Sequence, residues 1–134
     1  MTQVVRHHDP SDMVASDAGF SHAIETSAGA RWLHTTGQAG WDVDGSIPRD
    51  VDAQCEIAFA NIGKLLRDAD MSVDNLVKLT AYVSDHSAIE SYRIARDAFL
   101  RGARPASTVL VIAGFALPDM AIEVEAIAAA PARE

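Results

Sequence analysis

Glu123 and Glu125 stand two residues apart in an alternating stretch, Ala121 to Ala128. A strand there puts both carboxylates and Ile127 on one face, with Ile122, Val124 and Ala126 on the other. Two carboxylates secluded together resist ionising together, which keeps one able to give and take a proton near neutrality. The plainer reading is a pair of exposed strand carboxylates, and the spacing leaves both open. Cys55 lies in a helical pattern with no histidine spaced to activate it, so a small buried apolar residue is expected rather than a nucleophile. His7 and His8 lie near the N-terminus, and His22, His34 and His86 show no paired ligand spacing, so neither a metal nor another cofactor is expected. Asp85 precedes a helical pattern, where capping accounts for it. Phosphate loops, nucleophile elbows and dinucleotide fingerprints are absent.

The 134 residues suit a single domain, 1–134, around one core, and 49% of them are hydrophobic while 22% are charged. A formal net charge of −8 repels polyanions, and the eleven Lys and Arg form no run interleaved with aromatics, so no nucleic-acid partner is expected. Trp32 and Trp41 read as packing residues rather than a platform for bases. The first ten residues carry no signal-like apolar core and no apolar run is long enough to span a bilayer, so a cytoplasmic protein without a membrane partner is expected.

The elements that must position these groups follow from periodicity. Residues 2–5 suggest an edge strand. His22 to Thr26 and Arg31 to Thr36 suggest two strands joined as a hairpin, the second ending at Gly37. Val51, Cys55, Phe59, Ile62 and Leu66 repeat at helical spacing behind Asp50, a plausible N-cap, with Gln54 among the polar residues of the helix. Leu76 to Ser84 alternates as a strand, with Val77, Leu79, Ala81 and Val83 on one face and Lys78, Thr80 and Tyr82 on the other. A second helix carries Ile89, Tyr92, Arg96 and Phe99, opened by a Ser87/Glu90 capping box and stopped by Gly102. Thr108 to Ala113 and Ala121 to Ala128 are the last strands. The class is α+β: two helices cover one face of a mixed sheet, and the other face, bearing Lys78, Tyr82, Glu123 and Glu125 among apolar neighbours, calls for a subunit interface.

Several segments, in order, resemble the Rid/YjgF (reactive intermediate deaminase) family. They are Gly19-Phe20-Ser21-His22-Ala23, Thr35-Thr36-Gly37-Gln38, the helix from Asp50 to Arg67, Val77-Lys78-Leu79-Thr80-Ala81-Tyr82-Val83, Arg104-Pro105-Ala106-Ser107-Thr108-Val109, and Leu117-Pro118 with Ile122-Glu123-Val124-Glu125-Ala126-Ile127-Ala128. The resemblance implies a chorismate-mutase-like fold, a homotrimer with clefts between subunits, and cofactor-free hydrolysis of enamines and imines to carbonyl compounds and ammonia. It implies a small-molecule substrate.

Residue by residue, the resemblance makes Glu123 the group that positions water and exchanges its proton. Thr36 and Gly37 border the ligand, Phe20 stands where a tyrosine is common, and Thr108 is a small polar position. The family's carboxylate-clamping arginine is replaced by Ala106, which removes a charge-assisted contact worth roughly 1.5–3 kcal/mol. Arg104, two residues upstream and on the same side of an extended strand, and Arg93, at a helix position facing the family's cleft, are candidate replacements; each also reads as a solvated surface arginine. The expected activity is hydrolysis of a C=N or enamine metabolite other than the usual small 2-imino acid. The alternative is a trimer that binds a metabolite, or regulates, without catalysis.

Overall fold

The computed structural model describes residues 3–16 and 20–134. β1 (Val5–His8) and β2 (Ala23–Thr26) form an antiparallel ribbon, with Val5 opposite Thr26 and His8 opposite Ala23. Two expectations are corrected here. The edge strand expected over 2–5 begins only at Val5, and Thr2 lies outside the described residues. The expected 22–36 hairpin has no ladder between its arms: β2 takes β1, whereas β3 (Arg31–His34) takes the C-terminal strand. Alternation identifies a strand and its faces but not its partner. Four residues of β3 gain a continuous run of pairing along that longer strand.

After β3 come two residues of β4 (Gln38–Ala39), then α1 (Val51–Asp68). Asp50 caps α1, its carboxylate accepting the Ala53 N–H at 3.1 Å. Cys55, Phe59, Ile62 and Leu66 are buried along one stripe, as the helical period requires. Gln54 breaks the expectation of a polar outer face. It is 1% exposed. Its Nε2 donates to the carbonyls of Pro48 and Asp119, and its Oε1 accepts the Ala121 N–H. Amphipathic patterning reads Gln as surface; here its three hydrogen bonds remove the cost of burial.

A 3₁₀ turn (Val73–Asn75) leads into β5 (Leu76–Val83), which runs antiparallel to β7 (Ile122–Ala130) and parallel to β6 (Ala106–Val111). The parallel pair is joined through α2 (Ala88–Leu100). The sheet order is β3-β7-β5-β6, with β4 also on β7. A register shift between Leu76 and Lys78 makes a bulge, so Leu76 rather than Val77 joins Leu79, Ala81 and Val83 in the core. β6 begins two residues before the expected Thr108, because its ladder starts with Ala106 beside Lys78. The expected capping box on α2 is absent: the Ser87 side chain makes no cap bond, and Asp85 accepts both the N–H and the hydroxyl of Ser87. Arg101 and Gly102, at φ 49° and 91°, end the helix in the left-handed region.

Both helices pack on one face of the sheet. Phe59 stacks on Tyr92 at 5.8 Å and meets Phe99 at 5.1 Å, while Ile122, Val124 and Ala126 come up from β7. Pleating therefore turns Lys78, Thr80, Tyr82, Ala106, Thr108, Glu123, Glu125 and Ile127 to the opposite face, which no helix covers.

Candidate functional site

On that open face, register fixes the neighbours. Tyr82 lies between Glu123 and Leu110, Thr80 between Glu125 and Thr108, and Lys78 between Ile127 and Ala106. Glu123 also sits opposite Ala39 of β4, and its carboxylate lies over Gly37, in the space a side chain there would occupy. Only glycine accommodates this approach. Thr36, beside Gly37 in the chain, is exposed. The sheet thus brings Glu123, Gly37 and Thr36 together at the β4 edge.

Glu125 has a separate partner. The Tyr82 hydroxyl donates to its Oε1 at 2.9 Å. This bond, with burial and the Glu125 and Glu123 charges, pushes the Tyr82 phenol above its ordinary range.

The remaining candidates gather at the other edge. Ala106 and Thr108 face outward on β6, and Ser107 faces inward to the Tyr92 hydroxyl at 3.4 Å. Arg104 points to the N-terminal segment: its Nη2 donates to Asp9 Oδ2, to the carbonyl and hydroxyl of Ser16, and to the Phe20 carbonyl. The Phe20 ring packs edge-on against His22 at 5.5 Å, and the Ser21 N–H donates to the Pro105 carbonyl. Gly19 of the same motif lies outside the described residues. Arg93 lies in the helical layer, half-exposed and 3.8 Å from Glu90.

Glu123 and Ala106 therefore stand two strands and four residues apart, about 10 Å across and about 13 Å along the sheet. One subunit does not bring them together. Sequence reasoning passed over Lys78, whose ammonium donates to the Thr108 hydroxyl at 2.7 Å, beside Ala106. Its signal lay in register, which follows from the β5–β6 pairing and not from local pattern.

Cys55 is wholly buried, and desolvation, with Asp52, Glu56 and Asp50 nearby, pushes its thiol up to about 11. A neutral thiol is a poor nucleophile. Among the described residues no three His, Cys, Asp or Glu side chains gather as metal ligands, and no helix is long and apolar enough to cross a membrane.

The model of the family described as Endoribonuclease L-PSP matches residues 11–130. A Yersinia pestis structure, YyfB of the conserved Rid family and of unknown function, superposes with a TM-score of 0.84 at 35% identity, over 94% of this chain and 98% of that one. The chain belongs to the Rid/YjgF family. The Escherichia coli YjgF gene product is similar at 27% identity and TM-score 0.67, over 83% and 93% of the two chains. A 2-iminobutanoate/2-iminopropanoate deaminase of Mus musculus is 28% identical over 112 residues, 81% of this chain and 79% of its own length. Two helices on a mixed sheet are thus a family trait, and this Rid chain carries Ala106 and Phe20 within it.

Proposed function

We propose that this Rid protein hydrolyses an enamine or imine of a small metabolite to a carbonyl compound and ammonia, at sites completed between subunits of a homotrimer. The observation that carries this reading is the Glu123 carboxylate held over Gly37 beside the exposed Thr36. An imine carbon is already electrophilic, so the protein need only place a water and move protons. Glu123 accepts a proton as water adds to the carbon. It passes that proton to nitrogen to give the carbinolamine, then takes the hydroxyl proton as the carbonyl forms and delivers it to nitrogen as the C–N bond breaks, so one water is consumed and ammonia leaves.

The separation of Glu123 from Ala106 and Thr108 supports a shared site: a second copy, docked on the open sheet face, supplies the other half. Phe20 then offers an aromatic wall. With no arginine at 106, a small 2-imino acid binds less tightly than to an arginine-bearing relative, and preference shifts toward other C=N substrates.

The test generates imines in situ with an amino-acid oxidase and follows their loss to semicarbazone. The protein should accelerate hydrolysis for part of a broad amino-acid panel, and Glu123→Gln should remove the acceleration. No acceleration for any member would sink the proposal, and keto acids stabilising wild type and Glu123→Gln alike would favour a binding trimer.

A further inference from the structure

We infer that Lys78, backed by Thr108, is a carboxylate anchor on the open sheet face, so that the site selects acids and not neutral imines. This rests on the reading above for its chemistry, although the anchor can be tested without turnover.

Three observations carry it. First, the half-buried Lys78 ammonium bonds only the neutral Thr108 hydroxyl, and no carboxylate lies within 4.0 Å of it among the described residues. An ammonium has three donors, so two remain for a ligand. A partly desolvated cation without a counter-ion is costly to hold, and an arriving anion relieves that cost. Second, Lys78 lines a cavity of about 170 Å³ with His34, Thr35, Thr80, Glu125 and Ile127. At roughly 30 Å³ per water this has room for five or six waters, or for a small organic acid. The Thr108 hydroxyl, on β6 and outside the cavity lining, accepts one Lys78 proton and fixes the ammonium from that side. Third, Lys78 is the one Lys or Arg among the outward strand positions of β5, β6 and β7, in a chain of net charge −8. An anionic ligand reaching this face against that field meets one cation.

Lys78 is the cross-strand neighbour of Ala106. The positive charge absent from β6 is thus present one strand away, on β5. A lysine gives a point charge instead of a fork, so it holds carboxylates in varied orientations and less tightly. Glu125 lines the same cavity, and its oxygen not held by Tyr82 is an acceptor for a protonated imine nitrogen.

The test pairs Lys78→Met with Lys78→Arg. 2-Oxobutanoate, a non-reacting acid, is titrated calorimetrically, and imine hydrolysis is measured in parallel. Lys78→Met should weaken 2-oxobutanoate about ten- to a hundredfold, the worth of a charge-assisted hydrogen bond, and should raise KM more than it lowers kcat. Lys78→Arg should restore binding to within a few-fold. Unchanged 2-oxobutanoate affinity in Lys78→Met would overturn the anchor whether or not the wild type turns over. So would a loss of oligomer by scattering with affinity per folded subunit intact, which would give Lys78 to an interface. Weakened binding in a protein that hydrolyses no imine would support the anchor and count against the proposed reaction alone.

Discussion

The Glu123 carboxylate occupies the volume that a methyl group on residue 37 would fill. Strand pairing enforces the contact, since Ala39 faces Glu123 and Gln38 faces Val124 across the β4–β7 ladder. Gly37→Ala should therefore push the Glu123 side chain aside while leaving the ladder intact. Imine hydrolysis should fall at least about tenfold, toward the Glu123→Gln level, because a general acid–base group contributes about a hundredfold or more only when it is placed. Thermal unfolding should shift by only a few degrees, as the displaced atoms end a flexible side chain. Full activity in Gly37→Ala would show that the contact does not hold the catalytic geometry.

Ala106 faces outward beside Lys78 and in the same row as no other cation. Ala106→Arg should create a fork at the strand that lacks one. Turnover of 2-iminopropanoate should rise by about one order of magnitude or more, chiefly through KM, consistent with the roughly 1.5–3 kcal/mol of a charged hydrogen bond. Background turnover with the oligomer intact would mean that Ala106 does not border the substrate.

Much of this was legible in the chain. The α1 stripe and the faces of β7 follow from periods of 3.6 and 2, which depend on local backbone geometry. Partner choice does not: β2 and β3 read as a hairpin because only four residues separate them, yet each pairs elsewhere. The resemblance made Gly37 a residue bordering the ligand, but the group that approaches it, Glu123, comes from the far end of the chain. Alternation put Lys78 on the open face but gave it no ligand role, because its significance comes from its place beside Ala106 across a parallel ladder and its bond to Thr108. Gln54 and Arg96 misled or informed in opposite ways. Gln54 looked like surface and is a buried brace, whereas Arg96, read as part of an apolar stripe, is 6% exposed over the Tyr92 ring.

Gln54 braces the loop between β4 and α1 against the loop that leads into β7, through Pro48, Asp119 and Ala121. Gly40 lies so close that an added Cβ would come within 2.6 Å of the Gln54 Cα. Gln54→Leu fills the space and strands the partly buried Ala121 N–H and the Pro48 and Asp119 carbonyls. It should cost about 2–4 kcal/mol in urea unfolding at unchanged m, from about 1 kcal/mol or more per orphaned group. A loss below the error of the extrapolation would show that water replaces the side chain without cost.

Asp9 and Arg104 pin the segment that carries Phe20. Asp9 accepts the His22 N–H and the Ser16 hydroxyl and pairs with Arg104 at 3.1 Å. The His22 and Ser16 hydrogen bonds, aided by the Arg104 charge, hold the Asp9 carboxyl below its ordinary 3.8. A group whose folded-state pKa is depressed contributes stability above its unfolded value and loses it as pH falls through the folded one. The strap should therefore hold at neutral pH and loosen only below 3.8. Hydrogen exchange at the His22 amide, corrected for the intrinsic pH dependence, reads this directly. Protection should decline as Asp9 protonates, and Asp9→Ala should lack that protection already at neutral pH. If Asp9→Ala keeps His22 protected at neutral pH, Arg104 alone holds the strap, through Ser16 and the Phe20 carbonyl.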